Sequence, residues 1–136
     1  KQNELRAYSM TLEKLDHLVL PVSDIDTIAM FYTTYLGMEK RVFGENRVAL
    51  HFGDQKINLH PAGWDYEPKA RVSIAGSADL CFIVSERVES LQAKLVQFGV
   101  EIIEGPVVRT GATGPLRSIY IRDPDGNLIE LSNRAE

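Results

Sequence analysis

The strongest constraint on this chain is that it repeats itself. His17 to Gly37 runs as a short apolar strand, a helix and a closing glycine, and Asp79 to Gly99 repeats that order over a stretch of equal length. In the first copy, Ser23 or Asp24 supplies the helix cap, and Ile25, Ile28, Tyr32 and Leu36 recur at helical spacing. In the second, Ser85 is the expected cap, and Val88, Leu91, Leu95 and Phe98 form the apolar stripe. Gly37 and Gly99 suit the left-handed position that ends a helix. A repeated unit of this size does not bury its apolar face alone, so two copies pack together.

Strand patterns complete each copy. The first continues with Met38 to Phe43, Arg47 to Phe52 and Gln55 to His60, joined by Gly44-Glu45-Asn46 and Gly53-Asp54. The second continues with a strand over Val100 to Ile103, then a loop rich in glycine (Gly105, Gly111, Gly114), then a hairpin over Arg117 to Leu131. The pattern predicts an α+β fold, two tandem β-α-β-β-β modules forming a curved mixed sheet around a central cleft. The expected boundaries are a loose lead-in over 1–13, modules over 14–62 and 78–134, and a connecting loop over 63–77, long enough to carry a function.

The last hairpin is the most legible piece. Pro124-Asp125-Gly126 reads as a three-residue turn, with Gly126 in the left-handed position. Asp123 then sits opposite Asn127, and Tyr120 opposite Glu130. Tyr120, Leu128 and Glu130 share one face, while Ile129 and Leu131 take the other. A carboxylate on such a strand needs a partner or a metal, because burying an unpaired charge is costly.

Composition narrows the functional classes. A hydrophobic fraction of 44% supports a real core in 136 residues. The formal net charge of -4 gives no basic footprint for nucleic acid or an anionic membrane. No apolar run reaches membrane-spanning length, and the single Cys81 rules out an internal disulfide framework, so a cytoplasmic setting is expected.

The repeat also aligns polar residues. It pairs His17 with Asp79, and an offset of 70 residues pairs His60 with Glu130. All four are metal-ligand types, each on the first or last strand of its module, so a pseudo-twofold packing brings them together. A set of imidazole and carboxylate without thiolate suits a divalent Ni, Zn, Mn, Co or Fe(II) ion and leaves the choice open. On strand parity, His51 is read as facing away from His60, and Arg117 away from Tyr120. Cys81 is read as a small buried residue on the side of Asp79, and Trp64 and Tyr66 as parts of a lid. Arg109 is placed in the glycine-rich loop.

From Leu15 to Asn133 the chain resembles the vicinal oxygen chelate superfamily of glyoxalases, extradiol dioxygenases and bleomycin-resistance proteins. The resemblance rests on Leu15-Asp16-His17-Leu18-Val19-Leu20, Phe31-Tyr32, Leu36-Gly37-Met38, Asn58-Leu59-His60 and Tyr120 through Glu130. Asp54 through His60 and Gly105 through Ala112 look most like small glyoxalase-domain-containing, lactoylglutathione-lyase-like proteins. The resemblance implies metal ligation by His17 and Glu130, with His60 and Asp79 at the two remaining positions; Asp79 departs from the histidine usual there. It implies a metal-dependent lyase or isomerase acting on a small α-hydroxycarbonyl or hemithioacetal, the latter a thiol adduct, through an enediolate. Glu130 and His60 are then the expected catalytic groups, and Tyr120 and Arg109 the expected substrate contacts. An extradiol-type dioxygenase and a non-catalytic antibiotic-binding module are the alternatives within the same superfamily. A homodimer is expected, because isolated module edges favour pairing.

Overall fold

The computed structural model describes residues 9–135. Most of the expected lead-in therefore lies outside the described residues, and 9–16 run without helix or strand. The elements are β1 (His17–Val22), α1 (Ile25–Leu36), β2 (Glu39–Phe43), β3 (Arg47–Phe52) and β4 (Gln55–Pro61), then β5 (Asp79–Ile83), α2 (Val88–Gln97), β6 (Glu104–Thr110), β7 (Pro115–Arg122) and β8 (Leu128–Arg134). The expected pair of β-α-β-β-β modules forms, and each module makes its own mixed sheet. The first sheet (sheet A) has the order β1-β4-β3-β2 and the second (sheet B) β5-β8-β7-β6, with the first and last strand of each module parallel.

Each sheet turns one face into a shared core. Leu20, Val22, Ile57 and Leu59 of sheet A join Ile119, Ile121, Ile129 and Leu131 of sheet B in one buried cluster, closed by Ile28 and Tyr32 of α1 and Val88 and Leu95 of α2. The period-two alternation therefore sends the intervening residues to the outward faces.

Local signals explain most boundaries. Asp24 caps α1 by accepting from Thr27 N at 2.9 Å, and Gly37 ends it at φ 70. The cap of α2 differs from expectation: the helix starts at Val88, two residues beyond the Ser85 expectation, with no side-chain cap from its own flank. Asn133 of β8 does the work, accepting from Val88 N at 2.8 Å and donating to the carbonyls of Val84 and Glu86. No sequence-local rule reveals a cap supplied from so far along the chain.

The expected strand over Val100 to Ile103 is also corrected. The strand is β6, running straight through Gly105 and Pro106. It is the edge of its sheet, where a proline costs no ladder bond, and the register shifts between Glu104 and Val107. A Cβ on Gly105 would collide with the Ser118 carbonyl oxygen, so only glycine passes there. Arg109, expected in a loop, consequently stands on a strand.

The Pro124-Asp125-Gly126 turn forms as expected, with Asp123 N bonded to Asn127 O at 3.1 Å and Gly126 at φ 91. It also clamps the modules together. Asp123 is 5% exposed and accepts from Tyr32 Oη of α1 at 2.7 Å. Burial, and then the Asp123 carboxylate, raise the Tyr32 phenol far above its ordinary pKa, which keeps it a donor. Tyr32→Phe leaves one lobe of a buried carboxylate without that donor, and is expected to cost about 1–3 kcal/mol, read as a lower urea midpoint at unchanged slope.

Candidate functional site

The outward face of sheet A carries His17 and Val19 on β1, and Asn58 and His60 on β4. The His17 ring is partly exposed, and its Nδ1 lies 2.8 Å from Asp16 Oδ2. A carboxylate accepts, so Nδ1 carries a proton, and in the neutral ring the lone pair falls on Nε2. A carboxylate orienting one nitrogen of a histidine while the other stays free is the arrangement of a metal-ligating imidazole.

The ladder revises the partner of Glu130. His17 pairs with Lys56 and Asp79 with Leu128, so His17 and Asp79 are equivalent, as the repeat indicated. Two residues further along, Asn58 in β4 matches Glu130 in β8, and Ala49 and Tyr120 stand opposite them. His60 matches Ser132 instead. The expected His60–Glu130 equivalence is two residues out of register. The turn after Phe52 has two residues and the one after Asp123 three, which supplies one of them; the other is already present on the preceding strands, where Ala49 matches Tyr120.

His60 is occupied elsewhere. It stands four residues from the register partner of His17, about 13 Å along the strand, too far for two imidazoles upright on the sheet to share an ion. Arg47 Nη2 lies 2.9 Å from His60 Nε2, and a guanidinium only donates, so His60 spends that lone pair on Arg47. Burial, and then the Arg47 charge, lower its pKa. Tyr66, from the connecting loop, stacks on the ring with centroids 4.6 Å apart. Trp64 remains exposed. His51 pairs with Lys56 and thus shares the His60 face, contrary to the parity reading.

The residue that sequence reasoning passed over is Asn58. It is 4% exposed, and its Oδ1 is buried without a hydrogen-bond partner. Buried polar atoms are rarely left so. A two-residue turn at Gly53-Asp54 places it opposite Ala49, on the face of His17.

The outward face of sheet B carries Asp79, Cys81, Glu130, Ser132 and Tyr120. Glu130 is half-buried, and among the described residues its carboxylate accepts a long contact from Ser132 Oγ at 3.5 Å. Cys81 stands beside it, and its Sγ lies 3.4 Å from Ser132 Oγ. It is exposed rather than buried. Although the residue is exposed, its thiol is partly shielded by neighbours, which pushes its pKa up, and the Glu130 and Asp79 carboxylates add to the rise. Arg109 and Tyr120 come together: Arg109 Nε donates to Tyr120 Oη at 3.0 Å, and Nη2 pairs with Glu104 at 3.0 Å. Arg117 lies on the other face, as expected, against Glu89.

Within one chain these donors stay on two separate sheets. Among the described residues, no three His, Cys, Asp or Glu side chains gather closely enough to hold an ion. The donor chemistry itself (an oriented imidazole, an orphaned amide oxygen and carboxylates) fits a divalent cation of borderline character.

The model of the Glyoxalase/Bleomycin resistance protein/Dioxygenase superfamily matches residues 14–131. The chain belongs to this superfamily. It is 52% identical over 132 residues to Virulence protein STM3117 of Salmonella typhimurium, covering 97% of this chain and 92% of that one. Glyoxalase domain-containing protein RDO1 of Mycosarcoma maydis is 52% identical over 91% of this chain and 70% of its own length. An integron cassette protein from the mobile metagenome of V. cholerae superposes with a TM-score of 0.91 at 52% identity, over 94% of this chain and all of that one. Superfamily membership brings the glyoxalase fold and a tradition of small-molecule chemistry; the reaction is argued from the site. No helix among the described residues is long and apolar enough to cross a membrane.

The Arg47–His60 bond has a spectroscopic consequence. At pH 7, His60 is expected to be neutral with its proton on Nδ1, seen in ¹⁵N shifts of the ring. Arg47→Gln removes a cation that disfavours the imidazolium, so the His60 pKa should move upward towards its ordinary value.

Proposed function

We propose that this protein is a metal-dependent lyase or isomerase of glyoxalase type acting on a small α-hydroxycarbonyl or hemithioacetal. The observation carrying it is His17, whose Nδ1 is fixed by Asp16 at 2.8 Å while Nε2 is free on the same face as the orphaned Asn58 oxygen. His17 and Glu130 are the proposed principal ligands. Asn58 offers a neutral oxygen at the position matching Glu130, and Asp79 a carboxylate at the position matching His17. His60 is reassigned to positioning Arg47. The four donors meet when two copies pair, the outward face of sheet A in one against the outward face of sheet B in the other. This makes the proposed homodimer the unit of function.

A bound divalent ion would act there as a Lewis acid on two adjacent substrate oxygens. Glu130, free of strong hydrogen bonds, takes the C–H proton next to the carbonyl and returns it to the neighbouring carbon, so the reaction conserves atoms and charge. Tyr120, held by Arg109, orients the substrate oxygen beside it. A dioxygenase reading loses its second histidine to Arg47. A non-catalytic binding module is the second reading, favoured by the separation of the donors within a single chain.

Elemental analysis of the purified protein separates these readings. The wild type is expected to hold about one divalent ion per chain. His17→Ala and Glu130→Gln should each lose at least ~10-fold in metal affinity. Solvent deuterium exchange into a hemithioacetal should vanish in Glu130→Gln. Wild-type protein that carries metal yet exchanges no proton on any such substrate would refute the catalytic part.

A further inference from the structure

One cluster on the outward face of sheet A is not used by the proposed proton transfer. The Arg47 guanidinium carbon lies 4.8 Å from the Phe43 ring centroid and 5.1 Å from that of Tyr66. The Lys56 ammonium lies 4.2 Å from the same Phe43 centroid. Two cations are thus held against one aromatic ring. Among the described residues, neither has an acid within ion-pair distance, although ion pairs form nearby at Lys14–Asp54 and Arg41–Glu39. Arg47 Nε is buried and lacks an acceptor. Its Nη2 bond to His60, and the stacking of His60 on Tyr66, hold the guanidinium in place.

This arrangement is costly by itself. A buried N–H without an acceptor forfeits its hydration, and two like charges repel. Cation–π contacts with Phe43 and Tyr66 offset part of that cost but supply no acceptor for Nε. An oxyanion supplies what is missing: it accepts from Nε and screens the two charges from one another. Position connects the cluster to the proposed reaction, since Lys56 is the ladder partner of His17.

We propose that Arg47 and Lys56 form an oxyanion subsite, so that the substrate carries a carboxylate or phosphate group beside its reacting carbons. His60 and Tyr66 are positioning residues that fix the guanidinium. The assignment rests on the reading of this face as the substrate site, and it narrows that site to anionic small molecules.

The test uses chelator-treated full-length protein, which removes metal from the question. Wild type is titrated at neutral pH and low salt with sodium phosphate, with sodium lactate and with neutral lactamide, by calorimetry and by the ¹⁵N signal of Arg47 Nε. Phosphate or lactate should bind and shift that signal, and lactamide should do neither; phosphate against lactate tells which anion geometry fits. Arg47→Gln should weaken binding at least about tenfold and Lys56→Gln less, because a bidentate fork holds an oxyanion better than a point charge. Arg87→Gln, an exposed cation paired with Glu89, should match wild type. Unchanged affinity in Arg47→Gln, or no anion binding by wild type, overturns the proposal. So does a fall of Arg47→Gln to half the wild-type mass by sedimentation, because the missing acceptor is then a carboxylate of a second copy. Metal retention in His17→Ala is read separately. Wild type that retains metal but binds no anion sinks this subsite alone, and wild type that binds the anion but retains no metal sinks the metal assignment alone.

Discussion

The fold hangs on one buried carboxylate. Asp123 accepts from Tyr32 Oη of the first module, and from the Asp125 amide, the Asn127 amide and Asn127 Nδ2 of its own turn. Asn127 in turn accepts from Ala78 N at 2.8 Å, at the entry to β5. Asp125 reaches back to the Ser23 amide at 3.0 Å and to the Ser23 hydroxyl. A single turn thus fixes three things: the entry to α1, the entry to β5 and the hairpin carrying Tyr120 and Glu130. A buried charge is tolerated when its lone pairs are filled, and here four donors fill them. Each module's geometry is therefore held by the other.

Because the clamp and the shared core lie on one side of each sheet, the other sides are left with little structural work. Ile57 and Leu59 are buried, while the residues between and beside them on β4, Asn58 and His60, are free to carry chemistry. The same division holds on β8, where Ile129 and Leu131 pack inward and Glu130 does not. This is how an orphaned amide oxygen and an unpaired guanidinium nitrogen persist in a well-packed protein: the core does not depend on them.

What could be read from the sequence follows the same physical line. Elements set by local rules were legible: the Asp24 cap, the Gly37 stop, the three-residue turn and the facing of Tyr120 and Glu130. Elements set by distant partners were not. The start of α2 depends on Asn133, and the course of β6 depends on how Gly105 passes Ser118. At the site, His17 and Glu130 stood out by residue type and periodicity. Asn58 did not, because its match to Glu130 lies in a ladder register that the sequence offset misses by two residues. Arg47 did not either, because a cation's missing partner is a three-dimensional fact.

The reassignment of His60 shows how residue type and residue availability diverge. An imidazole on the outward face near a strand end looks like a ligand in any sequence. Its usefulness depends on a lone pair, and the direction of one hydrogen bond decides that. Asp16 accepts from His17 and so leaves Nε2 open, whereas Arg47 donates to His60 and closes the same atom. A carboxylate neighbour takes the proton-bearing nitrogen of an imidazole as its partner; a guanidinium neighbour takes the lone pair. Two histidines on one face of one sheet thereby differ in the nitrogen they engage: His17 meets Asp16 through Nδ1, and His60 meets Arg47 through Nε2.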